Sequence, residues 1–200
     1  GYDGSNLVLK GVSIEIQPRS IIAIVGESGA GKTTVANLLT GLVKPDKGSI
    51  KIGGIDYVNI NQKNLRSLIG YVTQENVIFT DSIRNNINLW ETENEVSCLD
   101  TKKMESVLDK SLLQDFVYSL PNGLETALGD NGLNISGGQR QRINIARELY
   151  KDVQMLILDE ATSSLDSVSE SEIESNIEEM KGKITMVIIA HRLSTIKSAD

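Results

Sequence analysis

Short apolar runs alternate with longer stretches of mixed apolar and polar residues along this chain of 200 residues. Six runs have the length and apolar content typical of β-strands, at 7–16, 21–25, 49–52, 69–73, 154–159 and 184–190. Three segments are apolar at every position, which is typical of parallel strands buried on both faces, at 21–25, 155–158 and 186–190. Helical spacing of apolar positions predicts helices at 32–42, 102–119 in one or two pieces, 138–150 and 170–180.

The order of these elements predicts an α/β domain, because strands alternate with helices over most of the chain. The middle of the chain, at about 75–145, has helical patterns and no convincing strand. Clusters of Gly, Pro, Asn and Asp at 44–48 and 120–134 predict loops. We therefore expect a sheet-containing core into which a helical subdomain is inserted.

Composition narrows the classes of function. The chain has 40% hydrophobic and 24% charged residues, which is ordinary for a soluble globular domain. A formal net charge of −7 argues against a surface that binds polyanions, so nucleic acid is not an expected partner. One cysteine, Cys98, and one histidine provide neither an internal disulfide nor a zinc site. No apolar run approaches the roughly 18 residues of a membrane span.

The stretch "GESGAGKT", residues 26–33, fits the pattern G-x-x-x-x-G-K-[ST] of phosphate-binding loops. It directly follows the apolar run at 21–25 and opens the helical pattern at 32–42, as the mechanism requires. In such a loop, backbone N–H groups surround the phosphates, Lys32 brings charge to the β- and γ-phosphates, and the hydroxyl of Thr33 can ligate Mg²⁺. The alternative is a glycine-rich turn that carries a surface lysine.

Two acids end the stretch "QMLILDE", residues 154–160. Asp159 would lie at the carboxyl end of a buried strand, where ligands of open α/β sheets bind. There it is expected to hold Mg²⁺ through water, while Glu160 points to the other side, toward an attacking water. The alternative for both is a solvated strand end. The guanine-reading pattern N-K-x-D is absent, which favours adenine.

Three further motifs follow in order, "ISGGQRQRINIAREL" at 135–149, "MLILDEATSSLD" at 155–166 and "AHRLST" at 190–195. With the phosphate loop they resemble the nucleotide-binding domain of ATP-binding cassette (ABC) transporters, from Tyr2 to the last residue. The segments "IGYVTQENVIFTDSIRNNINLW" and "LGDNGLNISGGQRQR" resemble the exporter branch. Exporters usually have Glu, Leu and Ala at three positions where this chain has Asp130, Ile135 and Ser164, changes that keep charge or approximate volume.

The resemblance implies a role for each matched residue. Tyr2 stacks on adenine, Gln74 touches Mg²⁺ or its water, and His191 holds the γ-phosphate. The alternatives are that Tyr2 is a terminal tyrosine packed on the sheet, that Gln74 is a polar residue that ends a strand, and that His191 is a core histidine whose hydrogen bonds are satisfied within the protein. The implied catalytic residues are Glu160, His191 and Lys32, and the implied metal ligands are Thr33, Gln74 and Asp159. The implied nucleotide-binding residues are Tyr2, Gly26, Glu27, Ser28, Gly29, Ala30, Gly31, Lys32, Thr33, Thr34, Gln74, Ser136, Gly137, Gly138, Gln139 and Asp166.

The motif "SGGQ", residues 136–139, lies at the start of a helical run. Its backbone amides and the positive end of the helix dipole therefore form an anion site. An ordinary helix N-cap at Ser136 is the alternative, and both can hold at once. In ABC proteins the signature of one chain closes over the nucleotide held by the phosphate loop of another. The resemblance therefore implies a head-to-tail dimer of identical chains with two ATP molecules at the interface.

For the fold, the resemblance implies a P-loop NTPase core with a mainly parallel sheet, an N-terminal antiparallel β part and an inserted α-helical subdomain. Residues 1–75 and 150–200 would form the RecA-like core with its β part, and 76–149 the helical subdomain with the signature. The cassette would be truncated at its C-terminus. The implied function is Mg²⁺-dependent ATP hydrolysis, on the cytoplasmic side of a membrane, that powers export through a transmembrane domain fused upstream.

Two other functions remain open from the sequence. A soluble cassette ATPase acts as a switch in translation or DNA repair, but such proteins tend to have tandem cassettes or long coiled-coil insertions, and neither is found here. A non-catalytic nucleotide-sensing module is the third possibility, and the presence of Glu160 and His191 argues against it.

Overall fold

The computed structural model describes residues 7–73, 75–90, 98–129, 132, 134–159, 175 and 177–190. The strands in these residues are β1 (Ile21–Val25), β2 (Lys51–Ile52), β3 (Ile55–Asp56), β4 (Ile69–Val72), β5 (Met155–Asp159) and β6 (Thr185–Ala190). Four of them form an all-parallel sheet in the order β1-β6-β5-β4, and β2 and β3 form a small antiparallel sheet. The predicted α/β fold with a mainly parallel sheet is confirmed.

The helices of the described residues are α1 (Lys32–Leu39), α2 (Gln62–Leu68), α3 (Ile83–Asn88), α4 (Cys98–Lys110), α5 (Gln114–Ser119) and α6 (Gly137–Tyr150), and residues 177–180 are also helical. The pattern at 102–119 therefore forms two helices. Short α2 and α3 were not predicted, and each begins with a capping side chain, from Asn61 and Ser82. Within the part of the chain that the structure describes, no helix combines the length and apolar character of a membrane span.

The sheet is covered on both faces in its centre. Neighbouring residues along a strand point to opposite faces, so Leu156 and Leu158 of β5 join an apolar cluster with α6, while Ile157 joins a second cluster with Ala36 of α1. This confirms the expectation of strands buried on both faces for β5 and β6. The expectation is wrong for the end of β1. Ile21 at its start is 0% exposed, but Val25 is 54% exposed, because it is the last residue of the strand and the exposed residues 26–30 follow it.

The helices of the middle region pack on one another and on the sheet. Ile83 of α3, Leu108 of α4 and Ile143 of α6 belong to the same apolar cluster as Leu156 of β5. The described residues between 75 and 145 contain one isolated bridge and no strand, as expected from their pattern. The helical region therefore shares one continuous core with the sheet. The boundaries at 75/76 and 149/150 stay predictions.

The predicted strand at 7–16 is wrong, because residues 7–20 contain no strand. Alternation of apolar and polar residues favours a strand only where a neighbouring strand supplies a hydrogen-bonding edge. The antiparallel part of the described fold is limited to β2 and β3, two residues each. Several apolar side chains of the segment accordingly remain 38–55% exposed, those of Leu7, Val8, Val12 and Ile14.

Candidate functional site

The carboxyl ends of the four parallel strands meet at one edge of the sheet. At this edge Val25 of β1 pairs with Ala190 of β6, and Asp159 of β5 pairs with Ile189 of β6. The neighbouring β4 ends beside β5, one residue short of Asp159. Ligands of open α/β sheets bind outside this edge, so the fold brings the phosphate loop and Asp159 to the place where a nucleotide is expected.

Five predicted site residues lie outside the described residues: Tyr2, Gln74, Glu160, Asp166 and His191. Three of them come just after strands in the sequence, since Gln74 is two residues beyond β4, Glu160 follows β5 and His191 follows β6. The described strands that precede these three positions all end at the same edge of the sheet.

The phosphate loop connects β1 to α1. Gly26, Glu27, Ser28, Gly29 and Ala30 are exposed. The N–H of residue 30 donates to the carbonyl of residue 27 at 3.1 Å, which closes a tight turn. The loop ends at the N-cap of α1, where the backbone has a φ of 94°. An exposed turn that precedes a helix N-terminus directs backbone N–H groups to solvent, as a phosphate site requires.

The ammonium group of Lys32 lies over the loop that precedes it. Its Nζ donates to the carbonyl oxygens of Gly26 at 2.9 Å and of Glu27 at 3.0 Å, and the residue is only 7% exposed. An ammonium has three donors, so these two bonds leave one for a phosphate oxygen. Of the next two residues, Thr33 is exposed and Thr34 is half-buried. The charge is therefore held at the centre of the loop before any ligand binds.

Replacing Gly31 by Ala is expected to lower the free energy of unfolding by about 2 kcal/mol. A Cβ there would lie 2.9 Å from side-chain carbons of Val8 and Leu9, on a backbone with a φ of 94°. Gly29→Ala is the matched control, because its φ is 80° and nothing lies within 4 Å of its Cβ. It should cost about 1 kcal/mol. Denaturant unfolding without nucleotide measures both, and equal losses would contradict the contact with residues 8–9.

Asp159 has the properties expected of a magnesium ligand. The residue is 7% exposed, its Oδ2 accepts a hydrogen bond from the hydroxyl of Tyr71 at 2.9 Å, and its buried Oδ1 has no hydrogen-bond partner among the residues that the structure describes. No group of three or more His, Cys, Asp or Glu in the described residues can hold a metal. Proteins typically hold Mg²⁺ with one or two carboxylate or hydroxyl oxygens, substrate phosphates and water. Asp159 and Thr33 supply such oxygens.

The signature motif begins α6 with a reciprocal cap. The Oγ of Ser136 accepts from the backbone N–H of Gln139 at 3.1 Å, and the Oε1 of Gln139 accepts from the N–H of Ser136 at 2.9 Å. The N-cap interpretation is therefore confirmed. Ser136 is exposed, Gly137 is half-buried and Gly138 is buried. The cap thus gives partners to the N–H groups of Ser136 and Gln139, and the helix starts at an exposed residue.

Two contacts give the direction of α6. Near its C-terminus, the N–H of Tyr71 in β4 donates to Glu148 at 3.2 Å, and one turn earlier Asn144 donates to Asn76, beyond the end of β4, at 3.2 Å. The helix therefore starts beyond the carboxyl edge of the sheet. At a rise of about 1.5 Å per residue, Ser136 lies roughly 12 Å farther along the axis than Asn144.

A buried arginine that the sequence interpretation missed joins α6 to the segment after β4. Arg147 donates to the carbonyl of Asn86 at 2.7 Å, to that of Val77 at 3.0 Å and to Oδ1 of Asn144 at 2.7 Å. Burial lowers the pKa of Arg147 from its ordinary value, and the charge of Glu148 opposes this shift. The sequence did contain a signal for this buried arginine, because Arg147 is four residues from Ile143 and therefore lies on the apolar face of α6.

Four partly exposed apolar residues in and near this segment form a surface that we call the 77–90 patch, made of Val77, Phe79, Leu89 and Trp90. Arg147 lies over the ring of Phe79, which meets Trp90 edge to face with centroids 5.3 Å apart. The indole of Trp90 donates to Asp81 at 2.9 Å. Hydrogen bonds, first from the backbone of Ser82, hold the pKa of Asp81 below its ordinary value. The two rings of the patch are thus oriented by their contacts with Arg147 and Asp81.

Comparisons with known proteins agree with this geometry. A sequence model of the family described as "ABC transporter" matches residues 9–163. The chain is 42% identical over all of its 200 residues to proteins named ATP-dependent lipid A-core flippase from Saccharophagus degradans and from Coxiella burnetii. It spans 33% of the length of each. A bacterial Atm1-family ABC exporter solved with ATP bound is 39% identical and similar in structure, with a TM-score of 0.86 over 100% of this chain and 34% of that one.

Proposed function

The chain belongs to the ABC transporter family, and from this we propose that it binds Mg-ATP and hydrolyses it to power export. One observation carries the proposal. Lys32, held over its own loop, and Asp159, with a buried and unpartnered Oδ1, stand at the same edge of a parallel sheet. A fixed cation and a free carboxylate oxygen are what a nucleotide with its metal needs there.

In the proposed mechanism the residues of this chain bind and orient. The exposed N–H groups of the loop and Lys32 hold the β- and γ-phosphates, while Thr33 and Asp159 hold Mg²⁺, which supplies charge neutralisation on the phosphates. Glu160 accepts the proton of the attacking water, and His191 donates to the γ-phosphate. Positioned charges of this kind supply most of the catalysis in phosphoryl transfer.

Four further residues belong to the proposed site. Tyr2 stacks on adenine, a contact worth about 1–3 kcal/mol per base. Gln74, just beyond β4, touches the metal or its water. Thr34 adds a hydroxyl near the phosphates, and Asp166 contributes from the opposite side of the dimer interface.

The site is proposed to be completed by a second copy of the chain. Ser136 lies at the exposed start of α6, beyond the edge of the sheet, and its own hydrogen bonds are to Gln139 of the same turn. The cap uses the N–H groups of Ser136 and Gln139, so the N–H groups of Gly137 and Gly138 are the ones proposed for an anion, as at other helix starts. In a head-to-tail dimer, the motif at 136–139 of one copy covers the γ-phosphate held by Lys32 of the other.

Export requires a transmembrane partner, which we propose is fused upstream. The chain spans one third of the flippases that it matches, which leaves room in such proteins for that domain. The 77–90 patch is the proposed contact for its cytoplasmic helices, because the patch is apolar, exposed and connected by Arg147 to the helix that starts at the signature. The names of the relatives favour export over a soluble switch.

Controlled pairing of two differently tagged full-length chains tests the dimer. Pairing Lys32→Ala with Ser136→Arg leaves one intact composite site if sites form between chains, and none if they form within a chain. Pairing a chain that carries both substitutions with the parent chain leaves no intact site if sites form between chains, and one intact site if they form within a chain. We expect ATP turnover from the first pair, up to half that of the parent, and close to none from the second. The opposite order of activities would refute a site shared between chains.

A further inference from the structure

We propose that Tyr71 is a positioning residue for the metal, which it serves by fixing the carboxylate of Asp159. This inference rests on the proposed Mg-ATP site and adds a residue to it. Its basis is one contact, the 2.9 Å hydrogen bond from the phenol hydroxyl to Oδ2, together with the buried and unpartnered Oδ1 of the same carboxylate.

The sheet register explains why this contact forms. Tyr71 of β4 pairs with Ile157 of β5, and Asp159 lies two residues farther along β5. Residues two apart on a strand share a face, so Tyr71 and Asp159 are diagonal neighbours on one face of the sheet, a separation that an aromatic side chain can span. The ring packs with the apolar cluster that contains Ile157 and Ala36 of α1. The phenol is therefore held by packing and reaches Asp159 with only its hydroxyl.

The chemical consequence is that the two carboxylate oxygens have different partners. The terminal torsion of an aspartate is broad and roughly two-fold, so an isolated carboxylate exchanges its oxygens freely. A donor fixed on Oδ2 stops this rotation and leaves Oδ1 as the oxygen for the metal or for a water on it. Partners that orient a metal ligand in this way typically account for about 10–100-fold in metal affinity.

A matched control exists in the same cluster. Tyr57 is also half-buried, packs against the same apolar residues and donates its hydroxyl to the carbonyl of Leu39 at 2.7 Å. Burial raises the pKa of Tyr57 to about 12. Tyr57→Phe therefore removes a comparable hydroxyl from a comparable environment, but one bonded to a backbone carbonyl of α1 and not to Asp159.

The test measures binding of a fluorescent, non-hydrolysable ATP analogue to the full-length chain, first in EDTA and then with increasing Mg²⁺. Tyr71→Phe should raise the half-saturating Mg²⁺ concentration about tenfold and leave the affinity in EDTA unchanged. Tyr57→Phe should change neither, and in an Asp159→Ala background the effect of Tyr71→Phe should vanish.

A titration of Tyr71→Phe that superimposes on that of the parent, or an equal shift in Tyr57→Phe, would overturn the inference and leave the proposed function intact. Equal weakening of binding in EDTA and in Mg²⁺ would also overturn it, because the role would then be structural. If the affinity of the parent chain for the ATP analogue does not change with the Mg²⁺ concentration, the metal site of the proposed function is refuted instead. Thermal unfolding of both variants checks that each is folded.

Discussion

Lys32→Ala is expected to lower ATP turnover at least about 100-fold and to weaken nucleotide binding. Removing one preorganised charge-stabilising donor from an active site typically costs about 10²–10³ in rate. Here the ammonium is held in place by two carbonyl oxygens of its own loop, so it is oriented before the ligand arrives. Turnover and the affinity for a non-hydrolysable analogue, both measured on the full-length chain, give the two effects.

The stability of the fold should change little in this variant. The carbonyl oxygens of Gly26 and Glu27 belong to exposed residues, so water can replace the lost donor. Lys32→Arg should not restore turnover, since the bulkier planar guanidinium does not match the site of a side chain that is 7% exposed. Lys63→Ala, at an exposed position in the first turn of α2, controls for the loss of a charge. A Lys32→Ala chain with more than a tenth of the parental turnover would contradict the proposed role.

The elements best predicted from the sequence are those whose patterns are local. The apolar runs in β5 and β6 lie between polar breaks, and both their presence and their bounds were predicted to within one residue. The start of α6 was predicted just as closely, because a residue typical of N-caps, Ser136, comes just before a helical apolar pattern, and both are short-range signals. The pattern of the phosphate loop likewise combines a strand, a turn and a helix in one continuous stretch.

Features that depend on distant residues were not predicted. The segment 7–16 has a strand pattern but no paired edge in the described fold. α3 has the sequence "IRNNIN", whose single apolar pair, Ile83 and Ile87, is too short a pattern to predict a helix. The helix is supported by the side chain of Asn86, which donates to and accepts from the backbone of Phe79. The bond from Tyr71 to Asp159 depends on β4 lying beside β5, and no local pattern in a single sequence specifies that neighbour.

Arg147→Met is expected to lower the free energy of unfolding by about 3 kcal/mol. Methionine keeps most of the volume but removes donors to Asn86, Val77 and Asn144, and the first and last of these residues are buried. A buried acceptor that loses a charged donor keeps the free-energy cost of its desolvation and no longer has a hydrogen bond to offset it. Trp90 is the single tryptophan of the 200 residues, and its ring touches Phe79, which lies under Arg147. Its fluorescence therefore reports both global unfolding and local changes in the patch.

Two further variants separate the charge of Arg147 from its shape. Arg147→Lys keeps the charge, but an ammonium cannot reach acceptors on several segments at once as the planar guanidinium does, so at least half of the loss should remain. Arg84→Met removes an arginine whose Nε contacts Glu125 at the surface at 2.6 Å, and exposed pairs of this kind contribute less than about 1 kcal/mol. If Arg147→Met costs no more than Arg84→Met, apolar packing alone joins α6 to the segment after β4. If the cost is near 3 kcal/mol, the guanidinium holds α6 to the segment after β4, and a shift in Trp90 emission before unfolding shows that its loss also changes the 77–90 patch.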